Sequence, residues 1–210
     1  MLAPRMRRRA TQVLLVRHGE TAWSRLGRHT GRTDLALTEK GRAQARRLAP
    51  VLSRRTLAKV LTSPLLRARE TCGLAGLGER AEVRADLAEW HYGDLEGLTP
   101  EEIDARCAGW SLWRDGCPGG ESPDDVAARV DRVIAEVRAI VGAPGWQPDS
   151  GVVAVFAHGH VLRALGARWV GLSPHDGGIF DLDTATVSEL GVDGARPVVV
   201  TWNDAHHLGG

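Results

Sequence analysis

Two histidines in this chain stand directly after short apolar runs. Val13-Leu14-Leu15-Val16 leads into Arg17-His18-Gly19, and Gly151 through Ala157 leads into His158-Gly159-His160. An imidazole titrates near neutral pH and can serve as nucleophile, acid, base or metal ligand. A single histidine after a strand is commonly an ordinary loop residue. Two of them, each followed by a glycine that lets backbone approach a ligand, point to one shared crevice. Arg17 precedes the first histidine, and Arg67 follows Ser63-Pro64 at the start of the next segment. A guanidinium presents planar paired donors that match phosphate oxygens, and a helix N-terminus adds backbone N–H groups. Taken together these residues describe a site for a phosphate-like dianion, whereas either arginine alone would read as a surface ion pair. Glu89 lies in Leu87-Ala88-Glu89-Trp90-His91-Tyr92-Gly93. Its aromatic flanks would desolvate the carboxyl, the setting in which a carboxylic acid keeps a proton to deliver to a leaving oxygen.

The elements that must position these groups follow from hydrophobic periodicity. Val13–Val16 and Gly151–Ala157 are continuous apolar runs, as expected of strands buried on both faces of a parallel sheet. Ala58–Leu61 reads as a further strand, Ala81–Arg84 as a short one, and Thr186–Val192 and Pro197–Trp202 as two more around Asp193-Gly194. Thr38 caps a predicted helix running to about Leu52, Pro64 suits the first turn of a helix over Leu65 to about Gly73, and Pro100–Arg106 reads as another. Ser122-Pro123-Asp124-Asp125 starts a helix whose apolar face carries Val126, Val130, Val133, Val137 and Val141. Leu162, Leu165 and Trp169 mark the inward face of the helix after His158. Alternating strands and helices predict an α/β fold: a mostly parallel central sheet with helices on both faces and ligand groups at the carboxyl ends of the strands.

The 210 residues suit one domain better than two, and 43% hydrophobic with 25% charged residues is ordinary globular usage. The expected boundaries are a basic, flexible N-terminal tail over 1–11, one domain over 12–205, and a C-terminal tail over 206–210. No apolar run approaches the length of a membrane span, and the N-terminus lacks the apolar region of a secretion signal, so cytoplasmic residence is the expectation. Cys72, Cys107 and Cys117 form no paired motif and are expected to be reduced thiols. A formal net charge of +1 leaves no footprint for nucleic acid or a membrane surface.

The ordered motifs Leu15-Val16-Arg17-His18-Gly19-Glu20-Thr21, Thr30-Gly31, Ser63-Pro64-Leu65-Leu66-Arg67-Ala68-Arg69-Glu70-Thr71, Glu89-Trp90-His91-Tyr92-Gly93, Gly119-Gly120-Glu121-Ser122 and Ala157-His158-Gly159-His160 resemble the histidine phosphatase superfamily, also called phosphoglycerate mutase-like. The resemblance spans residues 13 to about 172 and implies the three-layer fold of that family. It implies that His18 is the nucleophile forming a phosphohistidine, that Arg17, Arg67 and His158 hold the phosphoryl group, and that Glu89 donates the proton. By the same matching Ser24, Thr30, Gly31, Tyr92, Gly159 and His160 would line the substrate site, although many relatives carry Asn where this chain has Ser24. Mutases of the family carry a lysine after the Glu-x-x-Tyr-Gly segment and a later Arg-Arg pair. Glu96-Gly97-Leu98-Thr99-Pro100-Glu101 has no lysine and the region from there to Val126 has no Arg-Arg, so the chain resembles a phosphatase more than a mutase. The motifs around Glu89, Trp113-Arg114-Asp115-Gly116-Cys117-Pro118 and His158 look most like sedoheptulose-bisphosphatase-like enzymes and small bacterial acid phosphatases, which implies a small phosphorylated metabolite as substrate.

Other readings compete. His158, His160, His206 and His207 could offer imidazoles to a metal, but no carboxylate cluster accompanies them and Arg17 would repel a cation. No metal and no cofactor are therefore expected. Trp23, Trp90, Trp110 and Trp113 are candidates for an apolar rim, and Arg28 and Arg163 for added positive charge near the site. A phosphoglycerate mutase-type isomerase and a noncatalytic phospholigand-binding protein are the alternatives to a phosphatase, and a homodimer is left open.

Overall fold

A computed structural model describes residues 9–145, 147 and 150–209. Its centre is a six-stranded sheet in the order β3-β2-β4-β1-β5-β6. The strands are β1 (Arg9–Arg17), β2 (Leu57–Thr62), β3 (Ala81–Val83), β4 (Val152–Ala157), β5 (Val187–Asp193) and β6 (Arg196–Asp204). β3, β2, β4 and β1 run parallel, while β5 and β6 extend the sheet antiparallel. The two C-terminal strands form a hairpin through the turn Gly194-Ala195, and Gly194 at its first position takes the positive φ of 65° that this turn requires. The mostly parallel sheet expected from the alternating elements is present.

The side chains of β1 divide between two cores, as the two-residue strand period demands. Val13 and Leu15 join Val153, Val155 and Leu61 on one face, where α7 (Pro123–Val141) and α8 (Gly159–Trp169) cover them. Leu14 and Val16 join Ala154, Phe156 and Val60 on the other, with Leu48, Leu52 and Cys72 from the helical segments there. Those segments are α2 (Glu39–Arg47), α3 (Ala49–Leu52) and α4 (Leu66–Leu74), which follow the short α1 (Ala22–Arg25). α5 (Pro100–Arg106) and α6 (Leu112–Asp115) lie in the long connection between β3 and α7. All six residues of β4 are buried, which explains its uninterrupted apolar sequence.

Several boundaries differ from expectation. The helix begun by Thr38 does not run unbroken to Leu52. Leu48 ends α2 and Pro50 sits in the first turn of α3, where its missing N–H costs nothing. Pro64 stands before the Leu65 N-cap of α4 rather than inside the first turn. Pairing with β5 carries β1 back to Arg9, so residues 9–11 belong to the sheet and not to the basic tail. Residues 1–8 lie outside the described residues. At the other end, His206–Leu208 form a 3-10 turn anchored by His207 Nε2 on the Ala185 carbonyl and by an Arg47 guanidinium N–H on the Leu208 carbonyl.

Candidate active site

Register decides which groups meet. Arg17 pairs with Ala157 at the carboxyl ends of β1 and β4, so the next residue of each chain segment, His18 and His158, leaves the sheet beside the other. Their rings lie 5.1 Å apart, centroid to centroid. β2 ends at Thr62 beside Phe156, and the Ser63 N–H bonds the Phe156 carbonyl at 2.9 Å, which delivers Ser63 and then α4 with Arg67 to the same point. Thus three adjacent strand ends build one floor.

His18 Nδ1 lies 2.7 Å from the Gly19 carbonyl. A carbonyl only accepts, so Nδ1 carries the proton and donates it, and Nε2 holds a lone pair. Burial, with Arg67 and Arg17 nearby, pushes the imidazolium form well below the usual histidine range, so the ring is neutral. Gly19 itself is not held open for a ligand. Its N–H bonds Thr71 Oγ1, and a Cβ there would meet the Gly41 carbonyl oxygen at 2.4 Å, so the glycine permits a chain crossing. Gly159, by contrast, lies beneath the Arg17 guanidinium and lines the cavity.

Arg17 and Arg67 play unequal parts. Arg67 is fully buried, and its Nε donates to His158 Nδ1 at 3.1 Å while Nη1 bonds the Thr33 carbonyl and Nη2 the carbonyls of Thr30 and Gly31. Four of its five N–H groups are thus committed, leaving one on Nη1. Since His158 Nδ1 accepts, its Nε2 is the protonated nitrogen and donates to Ser63 Oγ at 2.7 Å. Among the described residues Arg17 bonds only the Leu182 carbonyl, through Nη1, and its buried Nε has no partner. Among the described residues no carboxylate forms an ion pair with Arg17 or Arg67. Burial lowers both guanidinium pKa values, the expected response of cations held without a counter-ion.

Glu89 sits at the N-terminus of α8. Oε1 accepts from the N–H groups of Trp90 and Val161, and Oε2 accepts from His160. Of the aromatic flanks expected to surround this carboxyl, Tyr92 lines the same cavity and Trp90 points elsewhere. Trp90 is buried in the core with Nε1 on the Glu121 carbonyl, and Glu89 is held by main-chain donors instead. Oε2 retains a lone pair beyond its one bond.

Arg17, His18 and Glu89 open into a cavity of about 420 Å³ that Ser24, Thr30, Tyr92, Gly159 and His160 also line, while the fully buried Arg67 and His158 are not in its lining. Gly31 is not in the lining. Both Glu96 carboxylate oxygens take its N–H and Arg67 takes its carbonyl, so it supports the floor rather than meeting a substrate. Ser24 is committed to the cap of α1, accepting the Thr21 N–H at 2.8 Å and donating to the Thr21 carbonyl at 3.1 Å. Trp110 alone of the four proposed rim tryptophans lines the cavity, because Trp90 is core, Trp23 packs under Gly97, and Trp113 lies beneath Arg163 at 4.9 Å. Arg28 and Arg163 do reach the cavity wall. His29 also does, and the sequence reading missed it; its place directly before Thr30-Gly31 was the available signal. His206 and His207 are not part of this cavity.

Residues 13–205 match the Histidine phosphatase superfamily (branch 1). The chain belongs to that family. This histidine phosphatase is 40% identical to an acid phosphatase of Mycobacterium tuberculosis over 198 residues, 93% of this chain and 94% of the relative. It is 38% identical to the sedoheptulose 1,7-bisphosphatase of Saccharomyces cerevisiae over 182 residues, 76% of this chain and 67% of the relative. Its fold superimposes on that of a mycobacterial glucosyl-3-phosphoglycerate phosphatase complexed with VO3, with a TM-score of 0.81 and 34% identity over 93% of this chain and all of that one. The resemblance read from the ordered motifs is thereby established as membership, and the three-layer architecture as the histidine phosphatase fold. Among the described residues no group of three or more His, Cys, Asp or Glu side chains is placed to hold a metal ion, and no helix is long and apolar enough to cross a membrane.

Proposed function

We propose that this histidine phosphatase hydrolyses phosphomonoesters of small metabolites through a phosphohistidine on His18. The observation that carries the reading is the His18 ring itself: Nδ1–H is fixed on Gly19, which leaves an unprotonated Nε2 on a neutral ring that lines the cavity with Arg17 and its unpaired Nε. Phosphoryl transfer passes through a loose transition state in which positioning and charge neutralisation carry most of the catalysis. Arg17, with four N–H groups not bonded to protein, supplies most of that charge. Arg67 adds its remaining N–H and holds His158. His158 reaches the phosphoryl group by exchanging its Ser63 partner for a phosphate oxygen.

In the first step His18 Nε2 forms the N–P bond as the ester P–O bond breaks, and Glu89 gives its proton to the leaving oxygen. In the second, water attacks phosphorus, Glu89 takes back a proton, and the N–P electron pair returns to Nε2 with release of phosphate. Guanidinium groups neutralise the charge in both steps, so the reaction needs no metal and survives exhaustive chelation. The relatives named for sedoheptulose 1,7-bisphosphate and glucosyl-3-phosphoglycerate support a phosphorylated sugar or similar polyol phosphate as the substrate. His18→Ala is expected to abolish both phosphate release, by about 10⁴-fold or more, and the acid-labile phosphoenzyme trapped by a rapid quench. Turnover retained in that variant overturns the assignment.

A further inference from the structure

Above the floor, two imidazoles stand face to face in the cavity wall. His29 and His160 have ring centroids 5.8 Å apart and planes within 13°, and both meet the Tyr92 ring edge-on, at 4.8 and 5.8 Å. They come from distant parts of the chain, and each is anchored through one nitrogen. His29 Nδ1 lies 3.2 Å from the Leu98 carbonyl, so that nitrogen carries the proton and Nε2 is a hydrogen-bond acceptor. His160 Nδ1 lies 2.5 Å from the Tyr92 hydroxyl. A phenol is the better donor and an imidazole nitrogen the better acceptor, so O–H donates to Nδ1 and Nε2 of His160 carries the proton.

Burial supports this assignment at each member. It holds the imidazolium forms of His29 and His160 below the usual range, and it pushes the Tyr92 phenol well above its usual one. Neither remaining nitrogen has a protein partner. Among the described residues the buried side-chain polar atoms left unpaired are Arg17 Nε and Asp193 Oδ1 alone, so Nε2 of each ring is open to solvent, and both rings line the cavity.

We propose that His29 and His160 form a tautomer-locked acceptor and donor pair that reads a hydroxyl-bearing leaving group. A hydroxyl both donates and accepts, so one hydroxyl, or two neighbours on a polyol, can give a proton to His29 Nε2 and take one from His160 Nε2–H. A purely aryl or alkyl leaving group satisfies neither nitrogen and leaves both desolvated without partners, a loss that selects against it. A second phosphate satisfies only the donor. The inference rests on the phosphatase reading and names the substrate feature that this site selects.

The test is the ratio of kcat/KM for a polyol phosphate, glucose 6-phosphate or glycerol phosphate, to that for phenyl phosphate. The wild type is expected to prefer the polyol esters. His29→Leu and His160→Leu are each expected to lower the ratio by about 10-fold or more, the loss of one specific hydrogen bond. His160→Gln, which keeps a donor of similar reach, restores part of it. Tyr92→Phe, which frees the His160 tautomer, lowers the ratio by less than His160→Leu. A wild type that favours phenyl phosphate over every polyol ester overturns the inference while leaving the phosphatase reading intact. So do variants that lose both activities equally, which marks the pair as structural. Absence of phosphate release from all these esters instead removes the phosphatase reading itself.

Discussion

A partly buried arginine stands in the floor of the cavity and a buried one behind its wall, and the fold treats them in opposite ways. Behind the wall, Arg129 on α7 is paired with a carboxylate. Nε and Nη2 fork onto the two Glu121 oxygens at 2.8 and 3.1 Å, while Nη1 bonds the carbonyls of Asp86 and Ala88. Glu121 in turn accepts the His91 N–H, and its main-chain carbonyl holds Trp90 Nε1, so the pair fixes the segment that presents Glu89 and Tyr92. In the floor, Arg17 has one carbonyl partner, a buried unpaired Nε and no carboxylate in ion-pair contact. A cation meant for structure is given its counter-ion by the fold. A cation meant for an anionic substrate is left in want of one, and the fold carries the desolvation cost.

Removing each charge should break this comparison in opposite directions. Arg17→Met is expected to lower kcat/KM about 10³-fold, the scale of losing principal transition-state donors, while the thermal midpoint stays level or rises, because an uncompensated buried cation is gone. Arg129→Met should cost about 3–5 kcal/mol of stability, since it strands Glu121 behind the wall without its partner, and should lower activity far less than Arg17→Met does. Thermal melts of both variants, read beside phosphate release, check the pair. Equal destabilisation would erase the distinction between a structural and a substrate-facing arginine.

Acid should act on both regions, because burial also lowers the pKa values of His29 and His160 in the wall, and phosphate should tell the two apart. Burial and the flanking guanidiniums hold the folded-state pKa values of His18 and His158 well below the ordinary 6.5. Above about pH 6.5 the folded and unfolded chains both hold these rings neutral, and the stability they allow is fully present. As pH falls below that value the unfolded chain takes up protons that the folded floor refuses, so stability is lost until the pH reaches the lowered folded values. Each ring removes roughly 1 kcal/mol per pH unit over that window. Urea midpoints measured from pH 7.5 to 5 should therefore fall, and inorganic phosphate on the floor should reduce the fall by favouring the cationic rings. A flat profile would show that the floor imidazoles charge freely.

The floor was largely legible in the sequence and the wall was not, for a physical reason. His18, Arg67 and His158 follow β1, β2 and β4, and strands buried on both faces announce themselves as apolar runs whose ends must lie together in a parallel sheet. Which loop residues face them depends on tertiary contacts that leave no period in the chain. His29 shows no pattern of its own and acquires its place from the Leu98 carbonyl and the Tyr92 ring. Gly31 belongs to a matching motif, yet its function is to hand a carbonyl to Arg67. The aromatic neighbours of Glu89 suggested an apolar pocket, but Trp90 turns into the core and three main-chain donors meet the carboxylate. The basic N-terminal run suggested a tail through residue 11, but pairing with β5 overrides composition from Arg9 onward.

Ser24 supplies the smallest and sharpest test of that boundary between floor and wall. It lies at the cavity edge, which is what the family resemblance implies, but its hydroxyl is engaged twice with Thr21 in a reciprocal cap of the four-residue α1. A hydroxyl so bound keeps one lone pair and no proton for a substrate, and a phosphate oxygen needs a donor. Ser24→Ala is therefore expected to cost about 0.5–1 kcal/mol of stability, the worth of a cap bond, and to lower kcat/KM by no more than about 3-fold through slackening of the loop that carries His29 and Thr30. A loss above about 100-fold would mean that the hydroxyl turns from Thr21 to the phosphate when substrate binds, and would move Ser24 from the wall's scaffolding to the floor's donors.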